Sequence, residues 1–256
     1  MKALTTMAYR QLKRFTKARS RVAGMIINPL IWLVFFGLGW SKVFNFPAAR
    51  AIFGGVDYLT FLAPGIFAMT IFNQSFIGGI SVIWDKQFGF LKEVLVAPAS
   101  RKEGIVGRIL GDSIVTVIQG AIILLLTFFL AENLKISGII PALAIGFLLA
   151  IAFSGFGVSL ALRMESMEGF QMIMMVLMLP LIFLSGAMYP IESMPEWMKA
   201  LAYVNPLTYA VDGARHYLVG ESVTKFSLSM DWGVLAFLAV LLLGIAMIEF
   251  ERTTIE

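Results

Sequence analysis

The side chains that most often carry catalysis or bind metals are scarce in this sequence. His216 is the only histidine, and there is no cysteine among the 256 residues. Two-histidine metal sites, thiolate catalysis and cysteine-based zinc or iron–sulfur centres are therefore excluded, as are most Ser–His arrangements. We predict no catalytic residue and no metal site, and we interpret His216 as a polar side chain at a membrane interface.

Phosphate and carboxylate chemistry are also poorly supported. A search for G-x-x-x-x-G-K-[ST] finds no match, so the chain should not hydrolyse ATP itself and should bind no cofactor. Asp112 lies about one turn inside an apolar stretch, where a carboxylate could act as a proton relay or ion site. Pairing with Arg108, four residues before it, is the interpretation that we favour over that role.

One hydrophilic segment, residues 85–103, has the pattern of a surface helix rather than of a linker. Its apolar residues recur at helical spacing and are Phe88, Leu91, Val94 and Leu95. Pro98 prevents the helix from continuing. Ser100 and Glu103 then form an S-x-x-E capping box that begins the next helix. The segment is a candidate contact surface for another protein.

The elements around this segment are long and apolar. Hydrophobic residues make up 59% of the sequence and charged residues 14%, well below the soluble norm of about 25% charged. A membrane-spanning helix needs about 20 apolar residues. Six stretches have or approach that length: 22–41, 58–84, 105–131, 138–162, 170–189 and 232–250. We predict an all-α integral membrane protein in which residues 1–256 form a single transmembrane domain.

Basic residues orient the predicted spans. Seven of the 20 Lys and Arg precede residue 22, and residues 1–21 predict an amphipathic helix that lies in the membrane interface. With the N-terminus inside, the inner segments hold 14 Lys and Arg and the outer segments hold six. The positive-inside rule therefore predicts that both termini and segment 85–103 are cytoplasmic. This distribution argues against nucleic acid as a partner.

The outer segment 190–218 predicts two short helices that dip back into the membrane. Ser193 and Glu196 form a capping box for the first of them. Asn205 and Pro206 end that helix and begin the second. Neither is long enough to span, but a helix satisfies its own backbone at membrane depth.

Two further patterns concern packing. Gly107 and Gly111 form a G-x-x-x-G motif, which allows close helix contact either within the chain or between two copies. Methionines are concentrated in and beside the fifth span: Met164, Met167, Met172, Met174, Met175, Met178 and Met188. Methionine suits surfaces that accept varied apolar partners, and it also fills cores or faces lipid. Pro180 and Gly186 make the fifth span the first candidate for a moving wall.

In combination, these features resemble the membrane subunit of an ATP-binding-cassette (ABC) type-2 exporter. The resemblance covers nearly the whole chain and rests on three groups of residues. They are Phe61, Leu62, Pro64 and Gly65 in the Tyr58–Gly65 entry to span two; Glu93 to Pro98; and Gly186, Tyr189-Pro190, Pro195-Glu196-Trp197, Asn205 to Tyr209 and Arg215.

The resemblance implies a mechanism and partners. In the family, segment 85–103 is the coupling helix that docks on a separate nucleotide-binding ATPase, which holds the ATP and Mg. Two copies of the chain would form a homodimer in the plasma membrane of a bacterium or archaeon and export a drug-like or lipid-like amphipathic or apolar substrate. The implied coupling residues are Phe88, Phe90, Leu91, Glu93, Leu95 and Pro98. The candidate substrate path comprises Phe67, Phe72, Met174, Met178 and Pro180.

Other classes stay open at this point. A self-sufficient channel or secondary carrier would produce ion flux from the chain alone, although carriers driven by ions usually need ionisable groups at mid-membrane. A membrane-embedded lipid-modifying enzyme would need clustered catalytic side chains, and only Asp85, Glu165 and Glu168 are available at the inner interface. A membrane anchor that recruits a soluble partner is a further alternative.

Overall fold

Four helical stretches are long and apolar enough to cross a bilayer. The computed structural model describes residues 2–44, 46–96, 100–131 and 133–253, in which the regular secondary structure is helical throughout. The four stretches are Tyr58–Gln87, Arg101–Phe128, Ile136–Arg163 and Leu228–Arg252. They lie at the second, third, fourth and sixth predicted spans, and they agree with the all-α membrane class.

Two shorter apolar helices, Ile27–Ser41 and Met167–Phe183, lie at the first and fifth predicted spans. The number of six spans therefore stays a prediction. In chain order the helices are α1 (Lys2–Lys17), α2 (Arg19–Trp32), α3 (Gly39–Ser41), α4 (Pro47–Ile52), α5 (Tyr58–Ile77), α6 (Ile80–Gln87), α7 (Phe90–Val96), α8 (Arg101–Phe128), α9 (Ile139–Arg163), α10 (Met167–Phe183), α11 (Glu196–Val204), α12 (Pro206–Leu218) and α13 (Leu228–Arg252). A π-helical turn, Leu33–Leu38, joins α2 to α3.

The bundle has two ends that differ in their connections. At one, called the Asp85 end, α6, α9 and α13 end while α8 and α10 begin, and exposed ion pairs such as Lys102–Glu251 join neighbouring helices. At the other, called the Arg215 end, α5, α9 and α13 begin and the short helices α11 and α12 lie. Asp57 begins α5 there, since its carboxylate accepts the Thr60 N–H at 3.0 Å.

Helix α5 lies at the centre of the bundle and packs against α8, α9 and α12. Four of its phenylalanines, Phe61, Phe67, Phe72 and Phe76, are at most 2% exposed. The Phe72 ring makes an edge-to-face contact with Phe153 of α9, with ring centroids 4.5 Å apart. Phe67 and Phe72 thus lie in the core of one chain, and neither side chain reaches an open path.

The N-terminal helix α1 packs along α8. A side chain at Gly107 would overlap the carbonyl oxygen of Leu4, and a Cβ at Gly111 would lie 2.9 Å from Cα of Ala8. In this structure the G-x-x-x-G motif therefore packs two helices of the same chain. Gln11 of α1 also donates to the carboxylate of Asp112 at 3.1 Å. The predicted amphipathic helix ends at Lys17, and its apolar stripe contacts protein.

Replacing Gly107 by alanine is expected to destabilise the chain by about 1–3 kcal/mol, because the added methyl group has no room beside Leu4. Gly104→Ala is the matched control on the same helix, since a Cβ at Gly104 meets nothing within 4 Å. That variant should be neutral or stabilised by up to about 1 kcal/mol. Thermal unfolding of both proteins in the same detergent makes the comparison. Equal stability of the two would contradict the close α1–α8 packing.

Helix α12 is inserted between α5, α9 and α13. Its preceding partner α11 begins at Glu196 with Pro195 at the N-cap, and no side chain caps it. The predicted Ser193–Glu196 capping box is therefore wrong: Ser193 lies in a 3-10 turn, Ile191–Ser193, and Glu196 pairs with Lys199 at 2.8 Å. Helix α10 ends at Phe183, before the predicted boundary at 189, and the chain turns through Gly186 at φ +72°.

Candidate functional site

A buried ion-pair cluster surrounds Asp85 at the end of α6. Arg108 Nη1 donates to Asp85 Oδ2 at 2.6 Å, and Arg10 Nη2 donates to Oδ1 at 2.9 Å. Arg108 also donates to Ser81 Oγ at 2.5 Å. The side chains of Asp85 and Arg108 are only 8% and 4% exposed. The cluster therefore joins α1, α6 and α8 through charged hydrogen bonds that are shielded from water.

The same cluster holds the start of α7. The Arg10 guanidinium lies 4.0 Å from the centroid of the Phe90 ring, a cation–π contact. On the other side, Lys86 Nζ donates to the carbonyl oxygens of Leu162 and Met164, each at 3.0 Å. These carbonyls lie where α9 ends and α10 has not yet begun, so the last turn of α6, just before α7, is tied to the α9–α10 connection.

Helix α8 is in turn attached to the end of α13. Ser100 Oγ accepts the Glu103 N–H at 3.3 Å, so the S-x-x-E pattern does cap α8. Arg101 donates to the carbonyl oxygens of Glu251 and Thr253, both at 3.4 Å. The helix that follows α7 is therefore held at its first turn by the last turn of the final span.

The predicted coupling residues fall on both sides of a backbone turn. Gly89 adopts φ +76° and separates α6 from α7, so Phe88 does not belong to the helix that carries Leu91. Phe88 is 83% exposed, Glu93 is exposed and Phe90 is half-buried. The side chains of Leu91 and Leu95, and all of Pro98, lie outside the described residues. The described part of the segment thus presents an aromatic tip and a carboxylate to solvent.

These contacts connect the exposed segment to α1, to α8 and to the α9–α10 connection. A partner bound to Phe88 and α7 would act on α1 through Arg10, on α8 through Arg108 and on the α9–α10 connection through Lys86. Charge-assisted hydrogen bonds are shorter than neutral ones and roughly twice as strong. The exposed segment Phe88–Val96 is therefore firmly connected to three other parts of the bundle.

At the Arg215 end a second buried cation holds non-helical backbone together. Arg215 Nη2 donates to the carbonyl oxygens of Gly186 at 2.8 Å and Ala187 at 3.1 Å. Its guanidinium carbon also lies 3.7 Å from the Phe61 ring centroid. The turn after α10 leaves these carbonyls without helical partners, and unsatisfied backbone groups are costly inside a membrane. Arg215 therefore permits α10 to end within the bundle.

Loop contacts complete this end. Asn205 caps α12 by accepting the Leu207 N–H at 3.0 Å and donates to the Leu181 carbonyl at 2.7 Å. Lys225 pairs with Glu192 at 2.9 Å. Partial burial opposes ionisation of Glu192, but the hydrogen bond from Lys225, a backbone hydrogen bond and the charges of Lys225 and Arg215 together outweigh it and lower the pKa of Glu192. The same hydrogen bond raises the pKa of Lys225.

The candidate path residues on α10 differ in exposure. Met178 is buried, Met174 is half-buried and Pro180 is exposed, while the neighbouring Met172 and Met175 are 70% and 67% exposed. Beside α10, a groove between α2 and α5 is lined by amides and apolar groups: Asn28, Pro29, Trp32, Ile66, Met69, Thr70, Asn73, Gln74 and Ile182. The groove therefore presents both polar and apolar groups, whereas Phe67 and Phe72 are buried.

The sequence did not reveal the partners in the ion-pair cluster. Asp85 is 75 positions from Arg10 and 23 from Arg108, and no local spacing rule connects residues so far apart. Arg108 was expected to pair with Asp112, but its guanidinium donates hydrogen bonds to Asp85 and Ser81 instead. The signal available in the sequence was a charged residue, Arg108, about one turn inside an apolar stretch. Such a charge needs a partner, but the sequence does not say which one.

The four long apolar helices are those of a multi-pass helical membrane protein. The chain belongs to the ABC-2 type transporter family, whose pattern matches residues 2–219. It is thus a member of a family of transport permeases, and the similarity extends from α1 through α12.

Curated relatives carry permease names. The chain is 33% identical over 223 residues to the "Putative transport permease ycf38" of Cyanophora paradoxa, covering 86% of this chain and 74% of the relative. It is 25% identical over 236 residues to the daunorubicin resistance ABC transporter permease protein DrrB1 of Streptomyces coeruleorubidus, covering 86% and 76% of the two chains. Such names are those of membrane subunits rather than of enzymes.

Proposed function

We propose that this chain is the membrane subunit of an ATP-driven exporter, built from two copies of the chain and a separate nucleotide-binding ATPase. The ATPase binds ATP and Mg²⁺ on the cytoplasmic side, and its cycle moves α7. Both termini and the Asp85 end face the cytoplasm across a plasma membrane, as the distribution of Lys and Arg predicts. The cargo is an amphipathic or apolar molecule, of the drug or lipid class, moved outward.

The observation that carries this proposal is the exposed segment Phe88–Val96, held by buried ionic contacts. Phe88 is 83% and Val96 69% exposed, whereas the Asp85 cluster immediately beside them is buried. Exposed apolar side chains on a rigid support are typical of an interface core, and Glu93 adds a charge that can set the register of the partner. A self-sufficient channel or carrier has no need for such a docking surface.

We place the substrate path along the groove between α2 and α5 and the exposed face of α10. The groove offers amide groups at Asn28, Asn73 and Gln74 beside the apolar Trp32 and Ile182. Amphipathic cargo requires both kinds of contact. The exposed methionines of α10 adapt to varied apolar shapes, and relatives named for daunorubicin resistance and as a multidrug permease of Escherichia coli support this class of cargo.

The test is to replace Phe88 by aspartate in the chain co-expressed with its ATPase. Loss of a central apolar anchor usually costs about 2–4 kcal/mol of binding, so co-purification of the ATPase should fall by at least about 30-fold. Membrane insertion and thermal unfolding should not change, because Phe88 is 83% exposed. Pull-down and ATP hydrolysis stimulated by substrate are the measurements.

Phe129→Asp is the matched control, since Phe129 is 87% exposed at the opposite end of the bundle. It should leave ATPase binding unchanged. If Phe88→Asp retains both the ATPase and its stimulated hydrolysis, the exposed tip at Phe88 is not the docking site and the proposal fails. Ion or substrate flux from the chain reconstituted without any ATPase would favour a channel or secondary carrier.

A further inference from the structure

Three ionisable side chains meet at the Arg215 end in a place that the transport mechanism does not use. They are Asp212 and His216 on α12 and Asp231 on the first turn of α13. One potential ligand atom from each residue lies within 4.8 Å of those of the other two. Asp212 and His216 are four positions apart on one helix, so they share a face that packs against α13.

Asp231 makes this cluster unusual. Its side chain is fully buried, at 0% exposure, and neither carboxylate oxygen has a hydrogen-bond partner among the described residues. Buried charges in proteins are normally paired or coordinate a metal, because an isolated carboxylate loses its hydration without compensation. The oxygen Oδ2 lies 4.0 Å from His216 Nε2, which is too long for a hydrogen bond and leaves space between the two groups.

The neighbouring backbone fixes the second carboxylate. The Asp212 oxygens accept the N–H groups of Lys225 and Phe226, each at 2.8 Å. Such contacts orient a carboxylate while leaving lone pairs for a further ligand. His216 Nε2 lies 2.9 Å from the Phe226 carbonyl oxygen, to which it donates when no ion is bound. An ion would take the deprotonated nitrogen in place of that contact.

We propose that Asp212, His216 and Asp231 bind one divalent transition-metal ion, with Zn²⁺ the expected species. One imidazole nitrogen and two carboxylate oxygens suit zinc, which usually takes ligands at about 2.0–2.2 Å. The ligand atoms are now up to 4.8 Å apart, and tetrahedral ligands of zinc lie about 3.3 Å apart, so the three side chains must close by up to about 1.5 Å. Bound metal would fasten α12 and the loop after it to α13. This site is independent of the ATPase-docking proposal and revises the expectation of no metal.

Access and net charge favour the site. The His216 side chain is 12% exposed and forms the open edge of the cluster, while both carboxylates are buried behind it. When both carboxylates are ionised, they and a neutral imidazole have a net charge of −2, which a divalent ion neutralises. A bound metal would therefore give the buried carboxylate of Asp231 a partner without any additional protein group.

The test uses the full chain in nanodiscs, stripped with EDTA and then titrated with Zn²⁺ alone. We expect one zinc per chain after gel filtration and a rise in the unfolding temperature on zinc addition. Asp231→Asn should weaken zinc binding by more than about 100-fold, since even groups outside the ligand set change metal affinity 10–100-fold. Glu221→Gln is the matched control, an exposed acid in the same region, and should bind zinc normally.

Two further measurements keep the test decisive. Asparagine matches the shape of aspartate, so metal-free Asp231→Asn should fold; if it does not, His216→Gln supplies the comparison at a partly exposed position. Cobalt in place of zinc should give a visible absorption band that His216→Gln shifts or removes. Zinc uptake equal in wild type and Asp231→Asn, or binding of Ca²⁺ but not Zn²⁺ that is unaffected by His216→Gln, would overturn the proposal.

Discussion

Asp85→Asn is expected to destabilise the folded chain by about 3–5 kcal/mol, the usual cost of removing one partner from a buried ion pair. The variant leaves Arg108, whose side chain is 4% exposed, without its carboxylate at 2.6 Å. Arg10 loses the same partner, so the hold on α1 and Phe90 weakens as well. Thermal or denaturant unfolding in detergent measures the stability, and stimulated ATP hydrolysis by the complex measures the coupling.

The double variant Asp85→Asn with Arg108→Gln separates a charge effect from a packing effect. Removing both buried charges together should recover most of the lost stability, because the remaining cation, Arg10, is 28% exposed and can reach water. Coupled hydrolysis should stay low, since the link between α6 and α8 is still weakened.

Glu251→Gln provides the control at the same end: its pair with Lys102 is about half exposed on both sides and should contribute no more than about 1 kcal/mol. Similar losses for Asp85→Asn and Glu251→Gln would contradict the cluster's importance.

Arg215→Met is expected to cost about 3 kcal/mol or more, and much of the protein should fail to extract as a folded species. Methionine fills a similar volume but donates no hydrogen bond to the carbonyl oxygens of Gly186 and Ala187. A hydrogen bond from a charged donor contributes about 1.5–3 kcal/mol, and Arg215 is 4% exposed, so little water can substitute for it. The yield of monodisperse protein and its unfolding temperature are the measurements.

Arg215→Lys should lie between methionine and the wild type. An ammonium keeps the charge but lacks the planar fork that serves several acceptors at once. Lys199→Met is the control at the same end of the bundle, because Lys199 pairs with Glu196, whose side chain is 89% exposed. If Arg215→Met unfolds at the wild-type temperature, the turn after α10 does not depend on this guanidinium.

The two buried arginines have related roles at opposite ends of the bundle. Arg108 compensates a carboxylate at the Asp85 end, and Arg215 compensates backbone carbonyls at the Arg215 end. Both satisfy polar groups that a lipid environment would leave without partners. In the proposed cycle the first transmits motion from the ATPase, and the second maintains the short helices opposite it.

Local rules predicted part of the architecture from the sequence. Long apolar stretches gave the four helices that are long enough to span, and Ser100 gave the start of α8. The capping box at Ser193 was wrong, because the 3-10 turn Ile191–Ser193 precedes the helix and Pro195 is at the N-cap of α11. The predicted coupling stripe also ran through Gly89, where a positive φ ends the helix. Neither result follows from residue spacing alone.

By itself, the sequence identified four stretches that are long and apolar enough to cross a membrane, because hydropathy and length are properties of each stretch alone. Only the tertiary structure decided which groups meet: Asp85 with Arg10 and Arg108, Arg215 with the turn after α10, and Asp231 with His216. Partners of buried polar groups are chosen by helix packing over long sequence separations, and no local pattern encodes them. Both the ion-pair cluster at Asp85 and the proposed zinc site therefore depend on contacts between helices.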